Sequence, residues 1–460
     1  MTSVLPQPAG PGRLAWFSPM PPTRSGVATC SADLVRGLSA SFQIDVFVDA
    51  SRQTPAPGTR SAHDFVWLHQ QTPYDLIVYQ MGNAAVHQYM WPYLFKYPGL
   101  TVLHDAHLHH ARAGALLTSG RTADYRAEFM ANHPDRNPDL AELAVYGYPS
   151  YLYYYWPKNR LVVERSRLTA VHTEAIARGL RQDVPAARIE TIRLGHGVEI
   201  ADQEAERLRQ RIRARYGIAP EARVFGCFGG LSPEKRLPQI LSAFAATAEH
   251  VPAARLLLVG EVPDHYDLAA DIARFGVADR TVITGYVDGD EELTAHIAAS
   301  DIALNLRWPT AREVSGPWLR CMAAGKPTVI VSLAHLADVP SLDPRTWTPS
   351  AAIDGEPDTV RPVTVAVDIL DENHSLRAAM LRLARDPALC EALGRAARDY
   401  WRSHHAPEAT IEDYHRVIAL ARSSPGPVRA TLDALPHLMS TGRQTLDEAL
   451  APFGVPDPLR

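Results

Sequence analysis

The chain has 460 residues, of which 46% are hydrophobic and 21% charged, a length that predicts two or three domains with ample core. Its formal net charge of −5 at pH 7 gives no electrostatic basis for nucleic-acid binding. The four cysteines form no CxxC pair, the first residues do not predict a signal sequence, and no apolar run reaches the ~18 residues of a membrane-spanning helix. These features predict a cytoplasmic protein and leave peripheral contact with the inner face of the membrane open.

Short apolar segments alternate with helical ones along the first half of the chain. Residues 14–18 predict a strand, 19–26 a loop and 27–39 an amphipathic helix. Further strands are predicted at 44–48, 75–81, 101–105, 167–173 and 188–195, with a loop over 51–61. Strands that alternate with helices are typical of a parallel, doubly wound sheet.

A second series of the same kind follows a highly charged helical segment at 201–216. Strands are predicted at 222–231, 254–261, 281–287, 301–306 and 327–332, and helices at 240–250, from 375 onward and over 428–450. We therefore predict an α/β fold of two domains, residues 13–205 and 206–422, the first completed by helices within 428–460. Ligands of such sheets bind beyond the carboxyl ends of the strands, so the site is expected in a cleft between the two sheets.

The segment from Arg307 to Val331 carries the most specific pattern. Ser315 and Gly316 lie where a helix is predicted to begin, and Gly325 lies where it is predicted to end. A helix N-terminus offers unpaired N–H groups to an anion. Glu313, just ahead of those N–H groups, would repel an anion unless the carboxylate binds sugar hydroxyls. The pattern therefore predicts a site for a phosphorylated sugar.

Two other loops follow predicted strands. In 19–26, Gly26 would place N–H groups at a helix start, although an ordinary turn explains the same residues. In 229–237, Lys235 could reach a diphosphate as a point charge, although a solvated surface lysine is the simpler alternative.

Histidine and aromatic clusters mark the first domain. Residues 101–110 hold four histidines, but not at the spacing of a zinc-binding helix, so no metal site is predicted. Asn83 follows a strand and could hydrogen-bond a sugar acceptor, or it could be a turn residue. The segment 146–156 holds six tyrosines and one tryptophan, which indicates either an acceptor-side surface, a membrane interface or a core contact.

Three of these segments together resemble the retaining glycosyltransferases of family 4, also called glycosyltransferase group 1. They are His-Asp at 104–105, Glu-Lys at 234–235 and E-x-x-G…AAGKP at 313–327. The resemblance implies a GT-B fold, two facing Rossmann-like domains with a cleft between them. It also implies transfer of a sugar from a nucleoside diphosphate sugar, UDP- or GDP-linked, with retention of configuration and with no metal or other cofactor. The acceptor would be a glycan, a lipid-linked sugar or a small molecule.

The resemblance assigns roles to individual residues of this sequence. Glu313 and His104 would be the catalytic residues that contact the donor sugar, and Tyr286 would lie near the nucleotide base. The donor diphosphate and sugar would also be bound by Gly26, Lys235, Arg307, Ser315 and Gly316. Asn83 and Asp105 would lie on the acceptor side.

Two positions depart from the family pattern. Gly230 replaces an arginine, so we expect Arg307, Arg312 or Arg236 to supply the second positive charge. Cys321 replaces a second glutamate that holds the ribose, so nucleotide identity cannot be carried over. These departures keep two alternatives open: a non-catalytic GT-B-like partner or regulator, and a sugar phosphorylase or epimerase of the same fold. A dehydrogenase is disfavoured because no strand is followed by the GxGxxG fingerprint.

Overall fold

A computed structural model describes residues 12–52, 55–148, 151–350, 361–427 and 435–439. These form two compact units. The first comprises the described residues of Met1–Ile192, Ala311–Glu313 and Ile411–Arg460, and the second comprises those of Arg193–Thr310 and Val314–Thr410.

The first unit is built on a parallel sheet of seven strands. They are β1 Gly12–Phe17, β2 Phe42–Val48, β3 Thr59–Ser61, β4 Leu76–Met81, β5 Leu100–Leu103, β6 Leu168–Val171 and β7 Ile189–Thr191. Their order is β3-β2-β1-β4-β5-β6-β7. The predicted loop over 51–61 is wrong at its end, because β3 pairs with β2, Thr59 opposite Val46. Its sequence, Thr-Arg-Ser, gives no apolar signal for a strand.

Nine helices accompany this sheet in the described part of residues 12–192. They are α1 Gly26–Leu38, α2 Phe65–Gln71, α3 Met90–Lys96, α4 His109–Leu117, α5 Thr122–Asn132, α6 Asp139–Val145, α7 Leu152–Tyr155, α8 Arg160–Arg165 and α9 Glu174–Asp183. Helices α4 to α8 all lie between β5 and β6 in the chain. Phe129 of α5 and Leu116 of α4 belong to a buried cluster of this insertion.

The second unit repeats the plan. Its strands are β8 Arg223–Phe228, β9 Ala254–Val259, β10 Thr281–Ile283, β11 Ile302–Leu304, β12 Thr328–Val331, β13 Ser341–Leu342 and β14 Thr364–Val367. Its helices are α10 Asp202–Arg215, α11 Leu237–His250, α12 Leu268–Arg274, α13 Asp290–Ala299, α14 Gly316–Ala323, α15 Glu372–Arg385 and α16 Pro387–His404. The strands are parallel, in the order β10-β9-β8-β11-β12-β14-β13. The predicted α/β fold of two parallel sheets is confirmed.

The division of the chain differs from the predicted boundaries at 205 and 422. The predicted boundary at 205 would cut α10, whose Leu208 and Ile212 lie in a core cluster of the second unit with Val224. At the other end, α17 Pro407–Ser423 begins in the second unit and continues into the first.

The end of the chain contributes one further described helix. This helix, α18 Pro436–Met439, packs against α3, and Leu435 and Leu438 are buried in the core of the first unit. Most of the helices predicted over 428–460 lie outside the described residues. Within the described ranges, no helix combines the length and the apolar character needed to cross a bilayer.

The strand order determines where a ligand is expected on each sheet. In the first unit the order reverses between β1 and β4, and in the second unit between β8 and β11. Loops diverge at such switch points and leave a crevice beyond the carboxyl ends of the strands. The loops after these strands contain most of the site residues predicted from the sequence.

Candidate functional site

The loop after β8 runs close against the end of β9. Gly229 has φ +90° and donates its N–H to the Val259 carbonyl at 2.9 Å. A Cβ on Gly260 would lie 2.1 Å from the Gly229 oxygen, so this position excludes a side chain. The glycines therefore allow two loops at the carboxyl edge of the second sheet to touch.

Lys235 ends the short 3-10 turn that follows this loop. Its side chain is 8% exposed, and its Nζ donates to the Phe228 carbonyl at 2.6 Å. A Cβ on Gly229 would lie 3.5 Å from Lys235 Nζ and 3.4 Å from Pro317 Cγ. Since Pro317 belongs to the first turn of α14, the ammonium group lies close to the start of that helix.

Helix α14 begins where the sequence predicts. Ser315 is the N-cap residue, and its side chain accepts a bond from the Trp318 N–H at 3.4 Å. Gly316 is the first helical residue, and Gly325, just past the helix end, has φ +65°. The positive end of the helix dipole therefore lies beside the Lys235 ammonium, and both favour an anion.

Arg307 lies beside the Lys235 turn. The backbone N–H of the next residue, Trp308, donates to the Glu234 carbonyl at 2.7 Å. Burial raises the pKa of the Glu234 carboxyl, but a bond from Ser232 and the positive charge of Arg307 outweigh this and lower the pKa. Arg307 therefore adds positive charge next to Lys235 within the second unit.

The other two arginines considered for the second positive charge are placed differently. Arg236 donates its Nε to Glu372 at 2.7 Å, and Glu372 is itself buried. This ion pair ties Arg236 to the start of α15, away from a role as a phosphate ligand. Arg312 belongs to the first unit. Arg307 therefore remains the best candidate for a second positive charge in the second unit.

A histidine that the sequence analysis did not select lies against Gly316. A Cβ at Gly316 would lie 2.8 Å from His196 Cδ2. Arg320 donates to His196 Nε2 at 3.0 Å and to Asp290 at 2.9 Å. Burial, with the positive charge of Arg320, lowers the His196 pKa to about 3, so the ring is a neutral acceptor. His196 lies between two glycines, and Gly197 has φ +98°. These glycines are the sequence feature that could have indicated the contact between His196 and Gly316.

Cys321, where the family pattern has a second glutamate, lies in the core of the second unit. Cys321 is fully buried in a core cluster, and burial raises its pKa to about 12. Its neighbour Arg320 reaches the polar groups beside Gly316 instead. Lys326 of the AAGKP turn donates to the Ala298 carbonyl at 2.9 Å, which gives it a structural role.

Tyr286 lies beyond the end of β10 and is 44% exposed. The preceding Gly285 forms a bridge with Gly260. This bridge places Tyr286 near the loops that follow β8 and β9, on the same edge of the sheet as Lys235.

His104 of the first unit takes part in a hydrogen-bond network at the ends of β4 and β5. Its Nε2 lies 2.7 Å from Gln80 Oε1, which also accepts the Tyr414 hydroxyl at 3.1 Å. Its Nδ1 lies 3.2 Å from Nε2 of His172, whose pKa burial lowers to about 4. Both ring nitrogens of His104 therefore face protein groups.

Asn83 and Asp105 are connected to each other. The Asn83 N–H donates to Asp105 Oδ2 at 2.6 Å, and the Asn83 side-chain oxygen accepts from the Ala111 N–H in the first turn of α4 at 2.9 Å. The side-chain oxygen of Asn83 thus stabilises the start of α4. The side-chain NH₂ group is the part that could donate a hydrogen bond to a ligand.

The remaining predicted residues of the first unit lie at exposed or strained backbone. Gly26 is the exposed first residue of α1, and a Cβ there would meet no atom within 4 Å. The Ala311 carbonyl accepts the His107 N–H at 3.0 Å. Arg312, directly before Glu313, has φ +60°, a left-handed conformation that non-glycine residues adopt mainly at functional sites and tight turns. Among the described residues, no group of three or more His, Cys, Asp or Glu side chains is arranged to hold a metal ion.

The contact between Gly316 and His196 gives a first testable prediction. We expect Gly316→Ala to lower the free energy of unfolding by about 1–3 kcal/mol, because the new methyl group would overlap the buried ring. Gly230→Ala is the matched control, since a Cβ there meets no atom within 4 Å and should change stability by less than about 0.5 kcal/mol. Thermal unfolding of both variants measures this, and equal melting temperatures would show that His196 moves aside at no cost.

Part of the chain is similar to known glycosyltransferases. Residues 222–344 match the family model of "Glycosyl transferases group 1", and this segment includes Lys235, Tyr286, Arg307 and the start of α14. The "2-deoxystreptamine glucosyltransferase" of Streptomyces kanamyceticus is 29% identical over 230 residues, which are 49% of this chain and 52% of the relative. The chain thus spans about half the length of this curated relative.

Two solved structures share the overall architecture. The sucrose-phosphate synthase of Thermosynechococcus elongatus superposes with a TM-score of 0.60 at 15% identity, over 89% of this chain and 98% of that one. HepE of Anabaena, in complex with UDP and glucose, superposes with a TM-score of 0.58 at 14% identity, over 89% of this chain and 100% of that one. The chain therefore has the two-domain α/β fold called GT-B, as predicted.

Proposed function

We propose that this protein is a glycosyltransferase that moves a sugar from a nucleoside diphosphate sugar to an acceptor with retention of configuration. The observation that carries the proposal is the convergence of Lys235, Arg307 and the N-terminus of α14 at the carboxyl edge of the second sheet. These positive groups lie within the segment that matches the family model. They are suited to a diphosphate, which needs fixed positive charge as its bond to the sugar breaks.

The reaction needs only these groups to stabilise the leaving diphosphate. The bond between the anomeric carbon and the β-phosphate oxygen breaks, and a bond to the acceptor oxygen forms on the same face of the sugar. The acceptor proton passes to the departing phosphate, which gains negative charge. Lys235 and the N–H groups of α14 stabilise that charge in place of a metal ion.

The remaining predicted residues take roles around this diphosphate. Glu313 accepts hydrogen bonds from hydroxyls of the donor sugar, and Tyr286 lies by the nucleotide base. His104 positions the sugar through its backbone, since Gln80 and His172 occupy its ring. Gly26 borders the diphosphate. Asn83, with Asp105 holding its backbone, faces the acceptor.

The comparisons suggest which donors and acceptors to test first. HepE is solved with UDP and glucose, which makes UDP-glucose the first donor to test, with GDP-sugars next. The Streptomyces relative is a glucosyltransferase named for a small-molecule acceptor, while glycan and lipid-linked acceptors fit the fold equally. The cytoplasmic location and a peripheral membrane contact expected from the sequence belong to the same proposal.

Two alternatives make different predictions. Gly230 and Cys321, at positions where the family has charged residues, favour a non-catalytic partner protein, which would bind nucleotide sugars weakly or not at all. A sugar phosphorylase or an epimerase of the same fold would turn over a sugar without an acceptor, and the phosphorylase would require inorganic phosphate.

Nucleotide binding tests the proposal through Lys235. A thermal-shift panel of UDP, GDP, ADP, CDP and dTDP, with their sugar conjugates, is expected to show a shift with one nucleotide. We expect Lys235→Ala to weaken that binding by more than about tenfold, because it removes a charge-assisted bond to phosphate. Lys96→Ala, at an exposed lysine of the first unit, is the matched control and should bind like the wild type.

A flat panel with folded protein would refute nucleotide-sugar transfer and favour the non-catalytic partner. Equal affinity of the Lys235→Ala variant and the wild type would remove Lys235 from the diphosphate site.

A further inference from the structure

A cavity of about 320 Å³ lies in the first unit. Its walls come from the end of α5, the start of α8 and one side of α9. Two of its lining residues, Ala106 and His107, directly follow Asp105, and a third, Arg312, directly precedes Glu313. The cavity therefore borders the residues that the proposed function places on the donor-sugar and acceptor sides.

The charged side chains that line the cavity have a positive excess. Three arginines, Arg136, Arg160 and Arg312, face two aspartates, Asp135 and Asp183. Arg160 is held in place because it donates to the Asp183 backbone carbonyl at 2.8 Å and to Glu164 at 3.2 Å. Glu164 pairs with Arg160 and partly neutralises it, but it does not itself line the cavity.

His133 lines the cavity together with Arg136 and Arg160. Burial, together with the positive charges of Lys158, Arg136 and Arg160, lowers its pKa to about 4. The ring is therefore neutral at pH 7. The arginines beside it therefore give this part of the wall a positive potential.

Aromatic side chains form another part of the lining. The Trp156 ring lies 5.1 Å from the Arg136 guanidinium carbon and is in edge contact with His133. Its neighbour Tyr155 also lines the cavity and is 74% exposed. Flat aromatic faces beside hydrogen-bonding groups suit the C–H faces of a sugar ring.

We propose that this cavity is the acceptor subsite and that the acceptor is an anionic saccharide. Its phosphate or carboxylate group binds Arg136, Arg160 and Arg312, and a sugar ring packs against Trp156. This assignment rests on the proposed function, because it takes the second substrate of the same transfer.

Isothermal titration with glucose 6-phosphate, glucuronate and glucose tests the proposal. Wild-type protein is expected to bind at least one of the two anionic sugars about tenfold more tightly than glucose, as charge-assisted bonds allow. The phosphate and carboxylate probes distinguish the two sources of the anion. Arg160→Met and Arg136→Met should each remove most of this preference. Arg178→Met, at an exposed arginine of α9 outside the cavity lining, should leave it intact.

The outcomes separate this inference from the proposed function. Binding of the anionic sugars no tighter than glucose, or equal losses in Arg160→Met and Arg178→Met, would overturn the anionic subsite even if nucleotides bind. A flat nucleotide panel with arginine-dependent binding of glucose 6-phosphate would overturn the acceptor role, because the transfer itself would have failed. Normal melting temperatures of the variants exclude unfolding as the cause.

Discussion

Glu313→Gln is expected to lower kcat/KM for sugar transfer by about 100- to 1,000-fold, the cost of removing one preorganised group from a reacting centre. The substitution keeps the size of the side chain but removes its negative charge, so hydroxyls of the donor sugar lose their strongest acceptor. The free nucleotide makes no contact with this carboxylate in the proposed site. Its affinity should therefore change by less than about twofold.

Initial rates and nucleotide titrations on the same preparations measure the two effects separately. Glu221→Gln, at an exposed glutamate of the second unit, is the control for loss of a surface carboxylate and should retain full activity. Full activity of Glu313→Gln would remove Glu313 from the reacting centre. A loss of nucleotide affinity as large as the loss of kcat/KM would show that Glu313 supports the diphosphate site instead.

Glu128→Ala should have the largest effect on stability. The Glu128 carboxylate is fully buried and accepts bonds from Arg112 at 2.9 Å and from His437 at 2.9 Å, with Lys158 Nζ at 3.6 Å. Burial raises the pKa of this carboxyl, but the bonds from Arg112 and His437 outweigh it and hold the pKa well below its ordinary value. Removing it leaves buried positive charges without their partner, which costs about 3–5 kcal/mol.

Thermal unfolding should show a fall in Tm of roughly 6–20 °C for a unit of this size. Glu142→Ala is the matched control, since Glu142 pairs with Arg126 at 2.8 Å on partly exposed helices. Solvent screens this ion pair, so the Tm of the variant should stay close to that of the wild type. If Glu128→Ala does not fold, Glu128→Gln, which keeps an acceptor, should fold with an intermediate Tm. Equal Tm values for Glu128→Ala and Glu142→Ala would contradict the account of the buried cluster.

The sequence predicted those elements whose position depends on the residues within the element itself. Buried strands such as β4 and β9 are mostly apolar, with one polar residue each, and the start of α14 follows from Ser315 and its glycine neighbour. The short edge strand β13 and its neighbour β14 were not predicted. Their two and four residues give too little periodicity, and the sheet alone determines their pairing.

The placement of a candidate site residue could be predicted where it depends on the residue's own loop, and not where it depends on distant partners. Lys235 and Gly316 were selected from their own segments, and their binding roles stay predictions. The pairing of Arg236 with Glu372 joins residues 136 positions apart. Gln80, which contacts His104, also accepts the hydroxyl of Tyr414 from a distant part of the chain. Such contacts follow from tertiary packing, which a single sequence does not encode in its spacing.

Donor turnover followed by proton NMR tests the central claim most directly. Wild-type protein is mixed with the α-linked nucleotide sugar that gives the largest thermal shift, with and without glucose 6-phosphate and with EDTA in a parallel sample. We predict that the donor is consumed, that the new anomeric signal is first that of the α-configuration, and that EDTA does not slow the reaction. A donor that binds but persists unchanged would contradict catalysis, and a β-configured first product would contradict retention.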